Sequence, residues 1–207
     1  MAGNFTVSLL EILAYLIPGG IMLSAIIHFR FPELIDRVLS GIGSQIAFVA
    51  CSYVVGHLLT FASTPLVRVR VYMRRLGRVK PRKVRMPFYE DLQTKLQSLF
   101  GANLSMRDDY HFALRLVTDN QPQSSLTIDR LYAMTLFSRN TSLAFLLIGC
   151  LFWNRSISTS LGCGVLAVLF FLRYIQLEAT ALHTVFRAAY VYLCSKEESE
   201  EAAAKSA

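Results

Sequence analysis

Residues 67–87 read VRVRVYMRRLGRVKPRKVRMP, and this basic stretch sets the organisation of the whole chain. It has nine basic residues and no acidic one, whereas the fourteen Asp and Glu outnumber the remaining Lys and Arg. Lysine and arginine in short loops beside a membrane span stay on the cytoplasmic side. The segment therefore predicts the orientation of a membrane protein, with residues 65–87 as a cytoplasmic linker. The nine basic residues are Arg68, Arg70, Arg74, Arg75, Arg78, Lys80, Arg82, Lys83 and Arg85.

The composition of the 207-residue chain supports a membrane class. Hydrophobic residues make up 54% and charged residues only 17%, against about 25% charged in an average soluble domain. The four cysteines have no C-x-x-C pairing and the four histidines no metal-ligand spacing, so we expect neither a metal nor a cofactor. No basic residue precedes the first apolar run, which argues against a secretory signal and for a retained span.

The first predicted hairpin covers residues 1–64. Ile12–Phe29 is an apolar run of eighteen residues, which as a helix spans about 27 Å. Pro18, Gly19 and Gly20 lie in its middle and predict a kink. The kink either packs against a neighbouring helix or lines a water-filled path. Residues 30–40 are amphipathic and are expected to lie at the membrane surface or to cap the first hairpin.

The second predicted span, residues 42–62, has two features of interest. Small residues recur at every fourth position in two rows, a spacing that lets helices approach closely in lipid. The rows are Gly43, Ala47 and Cys51, and Ser44, Ser52 and Gly56 with Phe48 interrupting. His57 is the ionisable residue of this span and is a candidate functional group. The simpler interpretation is a neutral histidine that hydrogen-bonds to a neighbouring helix.

Three interpretations of the basic stretch remain open. It can bind anionic lipid headgroups, with about 1 kcal/mol for each basic residue near the surface. It can dock an acidic protein partner. It can also contact nucleic acid through phosphates, but Tyr72 is its single aromatic residue, so no stacking platform for bases is present and such contact would be indirect or weak.

Residues 88–130 are predicted to form the soluble part from two amphipathic helices. One begins after Pro87 and the other near Met106, and residues 119–125 are expected to form a loop. Residues 108–111, DDYH, are interpreted as a solvated helix start whose acids lie near the positive end of the helix dipole. Two such helices have too little apolar area to fold alone, so they must pack on another element.

The second predicted hairpin covers residues 131–195 and has a cytoplasmic extension. Its helices are expected from Thr127 to Trp153 and from Ser158 to Ser195, with a turn between them. Beyond Arg173 the second helix has one apolar and one polar face, onto which the 88–120 helices can pack. Residues 196–207 are a polar tail or an added linker. The predicted fold is an all-α integral membrane protein with four transmembrane helices in two hairpins and both termini in the cytoplasm.

No catalytic motif accompanies this layout. Phosphate-binding glycine loops, the G-x-S-x-G elbow and H-E-x-x-H are absent from the sequence, and no acid pair lies inside a span. We therefore expect a protein that is not an enzyme.

The layout resembles the small polytopic membrane subunits of bacterial anti-phage defence systems, of the Kiwa type. The features are LAYLIPGG in the first span, the basic loop, and the hairpin entered through RLYAMTLFSRNTSLAF. The resemblance implies a homo-oligomer of the inner membrane that docks a cytosolic partner.

Two functions remain open from the residues themselves. The amphipathic cytoplasmic part without catalytic residues favours an oligomeric scaffold or sensor that recruits a cytosolic effector. The alternative is a pore that is lined by the Pro18 kink and the small residues and depolarises the membrane.

Overall fold

The computed structural model describes residues 2–65, 68, 88–100 and 106–206, with side chains over most of these ranges. Every regular element in these ranges is an α-helix. The helices are α1 (Ala2–Arg30), α2 (Leu34–Ser40), α3 (Ile42–Ala62), α4 (Tyr89–Phe100), α5 (Met106–Asn120), α6 (Pro122–Phe152) and α7 (Ile157–Ser206).

Four of these helices, α1, α3, α6 and α7, are long and apolar enough to cross a membrane. The second span, Ile42–Ala62, coincides with the prediction from the sequence. Helix α7 has 50 residues and therefore measures roughly 75 Å, far more than the roughly 30 Å of hydrocarbon in a bilayer. A single crossing accounts for less than half of this helix.

The chain divides into two compact units. The first unit comprises Met1–Val79 and Tyr132–Leu177, and the second comprises Lys80–Leu131 and Glu178–Ala207. Helices α6 and α7 therefore each contribute one part to each unit.

The connection between α6 and α7 is a tight turn at residues 153–156, as the sequence predicts. The backbone N–H groups of Arg155 and Ser156 both bind the carbonyl oxygen of Phe152. Ser156 then caps α7, because its hydroxyl oxygen accepts a hydrogen bond from the Thr159 N–H at 3.4 Å. Serine at this position satisfies a backbone donor that has no partner within the helix.

The predicted loop at residues 119–125 is wrong. Helix α5 continues to Asn120 and α6 begins at Pro122, so Gln121 alone interrupts the two helices. Proline is well suited to the first position of a helix, because its missing N–H would have no partner there. The Ser124 hydroxyl also donates a hydrogen bond of 2.9 Å to the Gln121 side chain. The polar residues of this segment therefore start a helix instead of forming a loop.

The second unit has a hydrophobic core of its own, as expected from the two-faced end of α7. Phe186 and Val185 of α7 are fully buried there with Leu92 and Leu96 of α4. Helix α5 adds Ala113 and Val117. The 88–120 helices thus bury their apolar faces on α7, which confirms the prediction that they need another element.

Candidate functional site

Helices α1 and α3 make backbone contact in the first unit. A Cβ atom built on Gly19 would lie 2.8 Å from the carbonyl carbon of Ser52 and 2.7 Å from the nitrogen of Gly56. A Cβ on Gly56 would lie 2.6 Å from the carbonyl carbon of Tyr15. The two helix backbones lie so close together that neither position has room for a side chain larger than that of glycine. Small residues commonly permit such contacts between membrane helices.

Pro18, Gly19 and Gly20 lie within one uninterrupted helix. Pro18 is fully buried, and Gly19 packs against the backbone of α3. The kink itself stays a prediction. The described contacts of these residues are those of tight packing between two helices.

Only one of the two rows of small residues on α3 contributes to this packing. Ser52 and Gly56 are buried, whereas Gly43, Ala47 and Cys51 are exposed. No atom lies within 4 Å of a Cβ built on Gly43. The row that contains Gly43 therefore lies on an open face of the helix within one copy of the chain.

His57 lies in an aromatic cluster at the α1–α3 contact. Its ring stacks on Tyr15 of α1 with 4.0 Å between ring centroids. The ring of Tyr53 meets it edge-on at 4.6 Å. Tyr53 lies on the same helix as His57, so the stack on Tyr15, instead of the predicted hydrogen bond, is the described contact of His57 with a neighbouring helix. An imidazole between two phenol rings is well placed as a packing element.

A polar junction joins α3 to α6 in the same unit. Asn140 is fully buried, and its amide donates a hydrogen bond of 2.8 Å to the hydroxyl of Thr60. The Thr60 hydroxyl in turn lies 3.2 Å from the Gly56 carbonyl oxygen. Ser63, also fully buried, binds the Thr60 carbonyl oxygen and lies 3.5 Å from the Asn140 oxygen. This junction was not predicted from the sequence, although the run SRNTS at residues 138–142 inside an apolar helix is a visible signal.

The Asn140–Thr60 hydrogen bond should couple α3 to α6 measurably. In a double-mutant cycle of Asn140→Ala and Thr60→Val, we expect a coupling energy of about 0.6 kcal/mol, the average for such bonds in a membrane protein. Equilibrium unfolding in mixed detergent measures it. Ser44→Ala is the matched control, because the Ser44 hydroxyl binds Gly41 at the start of its own helix. Equal coupling of Asn140 to Thr60 and to Ser44 would contradict the junction.

Most of the basic stretch lies outside the described residues. Arg68 is the exception: it is helical and exposed. The predicted roles of Arg70, Arg74, Arg75, Arg78, Lys80, Arg82, Lys83 and Arg85 in lipid or partner binding stay predictions.

Asp109 corrects the interpretation of residues 108–111 as a solvated helix start. Its side chain is fully buried in the second unit. One carboxylate oxygen accepts a hydrogen bond of 2.9 Å from the Tyr89 hydroxyl, and the other has no hydrogen-bond partner among the described residues. The pair joins the first turns of α4 and α5. Burial, followed by the bond to Asp109, raises the pKa of Tyr89 from 10.0 to about 12.

This pKa predicts how stability depends on pH. A group whose pKa is higher in the folded state contributes stability that is complete below the unfolded value and is lost as the pH rises through the folded value. The contribution of Tyr89 should therefore be complete below about pH 10 and lost towards about pH 12. Asp109→Asn should lower the pKa of Tyr89, because it removes a negative charge beside the phenol.

Ultraviolet titration of tyrosinate tests this expectation by difference, with Tyr89→Phe as the control. The Tyr89→Phe variant should lose one component that titrates near pH 12, and Asp109→Asn should move that component to lower pH. The component of Tyr190, whose pKa is also raised to about 12, should remain in both variants. Identical titration curves for Asp109→Asn and the parent protein would show that Asp109 does not act on Tyr89.

An ion pair at the end of the second unit joins α4 to α7. Lys95 donates a hydrogen bond to the Glu197 carboxylate, and this bond is the main reason that the pKa of Lys95 is raised. The lysine also lies 5.7 Å from the ring centroid of Tyr190. The Tyr192 hydroxyl binds Asn120 at 2.9 Å, which fixes the end of α5 to the same helix. These contacts lie on the surface of the unit, where an ion pair contributes little stability.

These features define an all-helical protein with four potential membrane spans and a second, separately packed helical unit. Within the described ranges, no three His, Cys, Asp or Glu side chains are placed to hold a metal ion. No family model matches the sequence, and neither a search of curated proteins nor a search of solved structures finds a match.

Proposed function

We propose that this chain is a membrane scaffold or sensor subunit whose second unit docks a soluble protein. The observation that carries the proposal is the separate core of that unit. Helices α4 and α5 have no apolar run long enough to cross a membrane, yet they bury Leu92, Leu96 and Val117 completely. A packed helical unit joined to membrane spans offers a water-exposed surface for another protein.

The proposed location is a bacterial inner membrane, with the second unit and both termini in the cytoplasm. The charge of residues 67–87 supports this orientation, because basic loops stay inside. The resemblance to anti-phage defence subunits adds that the chain forms a homo-oligomer and that its partner is a cytosolic effector.

Single-cysteine labelling tests the orientation. In a variant with all four native cysteines replaced by serine, Asn154→Cys should react with a membrane-impermeant maleimide added to intact cells. Ser199→Cys, which is also exposed, should react only after the inner membrane is opened. The reverse pattern would overturn the orientation.

Photo-crosslinking from the second unit tests docking. A crosslinking amino acid at Leu99 or Val191, which are 50% and 53% exposed, should form a discrete adduct with one soluble protein. The matched control position is Leu161 in the first unit, which is 59% exposed and should form none. Neutralising Arg74, Arg75, Arg82 and Lys83 together should reduce the adduct if the basic stretch takes part in docking. Equal adducts from all three positions, or none from Leu99 and Val191 in the native host, would contradict the proposal.

The alternative is a pore that depolarises the membrane, with the Pro18 kink and small residues lining its path. The burial of Pro18 and the contact of Gly19 with α3 leave no path at this point within one copy of the chain. A pore would therefore need an interface between copies. Ion flux from liposomes that contain the purified oligomer distinguishes the two functions, because the scaffold predicts no leak.

A further inference from the structure

Two arginines converge on one aromatic ring at an end of the first unit. The guanidinium carbon of Arg155 lies 4.4 Å from the ring centroid of Phe29, a distance typical of a cation–π contact. The guanidinium carbon of Arg30 lies 5.9 Å from the same centroid. Phe152 meets Phe29 edge-on at 5.6 Å and so supports the ring. The packing thus places both positive charges near the same ring.

The two guanidinium groups remain available to an anion. Arg30 and Arg155 are both exposed. The ion pairs found among the described residues involve other basic residues: Lys95, Arg115, Lys196 and Lys205. A guanidinium that lies on an aromatic face keeps N–H donors at its edge, and their planar arrangement matches the oxygens of a phosphate.

An open groove of about 770 Å³ lies in the same unit as these arginines. It runs between α6 and α7, and Trp153 and Asn154, which directly precede Arg155, line it. Most of its other lining is apolar or small, including Leu146, Gly164, Val165 and Leu169. Trp153 is 59% exposed, and tryptophan is enriched at the level of lipid headgroups.

The charge at this end argues against a second copy of the chain as the occupant of the groove. Copies of a membrane protein share one orientation, so Arg30 and Arg155 of two copies would lie at the same depth. Like charges brought together in this way disfavour association. A phospholipid with a negative headgroup instead supplies a phosphate for the arginines and an apolar chain for the groove.

We propose that Arg30, Arg155 and the α6–α7 groove form a binding site for an anionic phospholipid. The phosphate binds the two guanidinium groups and one acyl chain lies along Val165 and Leu169. The site requires that the chain is in a membrane but does not depend on the docking of a soluble partner.

Trp153 is the single tryptophan of the chain and reports on this site without labelling. The full-length protein is placed in vesicles of phosphatidylcholine that contain a small fraction of brominated phosphatidylglycerol or brominated phosphatidylcholine. The brominated anionic lipid should quench the Trp153 fluorescence at a lower mole fraction. Each arginine should contribute about a fivefold preference, the effect of one basic residue near an anionic surface.

Three substitutions make the test specific. Arg30→Gln with Arg155→Gln should abolish the preference, and Arg30→Lys with Arg155→Lys should retain part of it because the charge remains. Arg115→Gln removes a charge that is 81% exposed and paired with Asp119 in the second unit, and should leave the preference unchanged.

A matched pair of glycines tests the groove separately from the charges. Gly164 and Gly162 both lie on α7 with open space around a built Cβ, but only Gly164 lines the groove. Gly164→Leu should weaken quenching by the anionic lipid, and Gly162→Leu should not. Equal quenching by both brominated lipids in the parent protein would overturn the proposal. So would full recovery of fluorescence with millimolar inorganic phosphate, because the site would then bind a free anion and not a lipid.

Discussion

Replacing Gly19 with alanine should destabilise the contact between α1 and α3 by about 3 kcal/mol, the upper end of the usual cost of overpacking. The added methyl group would lie 2.8 Å from the Ser52 carbonyl carbon and 2.7 Å from the Gly56 nitrogen. Both are backbone atoms of α3, so the helices must separate along their contact. Alanine favours a helix over glycine by about 1 kcal/mol, and a net loss of stability would therefore show that the contact outweighs the propensity.

Unfolding of the full-length protein in mixed detergent measures this effect. Gly20→Ala is the matched control on the same helix, because its Cβ would meet only the Ser52 side chain at 3.6 Å. Gly162→Ala is a second control, since no atom lies within 4 Å of its built Cβ. Equal stabilities for Gly19→Ala and Gly20→Ala would contradict the backbone contact between α1 and α3.

The glycines show what the sequence could and could not predict. Spacing alone identified both rows of small residues on α3, because the helical repeat places every fourth residue on nearly one face. It could not distinguish the row with Ser52 and Gly56 from the row with Gly43. That choice depends on which residue α1 presents, and Gly19 meets only the first row.

The burial of Asp109 could have been predicted from the sequence. Helical spacing places Met106, Tyr110, Ala113 and Val117 on one apolar face of α5. Asp109 is four residues before Ala113, so the same helical spacing places it on that face. A charged residue on a buried face needs a partner, but the partner, Tyr89, is twenty residues earlier. Sequence spacing within one helix cannot identify a contact between helices.

The apolar parts of the helices followed from local signals, but several helix bounds did not: α1 begins at Ala2, α6 begins at Pro122 and α7 continues to Ser206. Apolar runs fixed the four potential spans, since a helix needs about 20 apolar residues to cross a bilayer. The polar residues 119–125 were predicted to form a loop, but Pro122 begins α6. Whether proline ends a helix or begins one depends on the residues on either side, and here both sides are helical.

Phe186→Ala should unfold the second unit selectively, at a cost of about 4 kcal/mol for the loss of a buried phenylalanine. The Phe186 side chain is fully buried. The ring of Tyr89 from α4 meets it edge-on at 5.3 Å, and that of Tyr110 from α5 at 6.2 Å. Its removal therefore opens a cavity against both short helices at once. A small core has little stability in reserve, so α4 and α5 should lose their protection from hydrogen exchange.

The first unit should be unaffected by this substitution, because its packing rests on other contacts such as Gly19 with Ser52. Hydrogen exchange monitored by mass spectrometry resolves the two units in one experiment. Val191→Ala on the same helix, at a side chain that is 53% exposed, is the control and should leave exchange unchanged. Loss of protection in α3 as well would show that the units unfold together.

The same variant separates the two proposals. If the second unit docks a soluble protein, Phe186→Ala should abolish crosslinking from Leu99 and Val191. If Arg30 and Arg155 bind an anionic lipid, quenching of Trp153 should persist, because this site belongs to the first unit. Loss of both crosslinking and quenching would show that the two units fold cooperatively. Loss of crosslinking alone would establish that partner binding and lipid binding reside in different units.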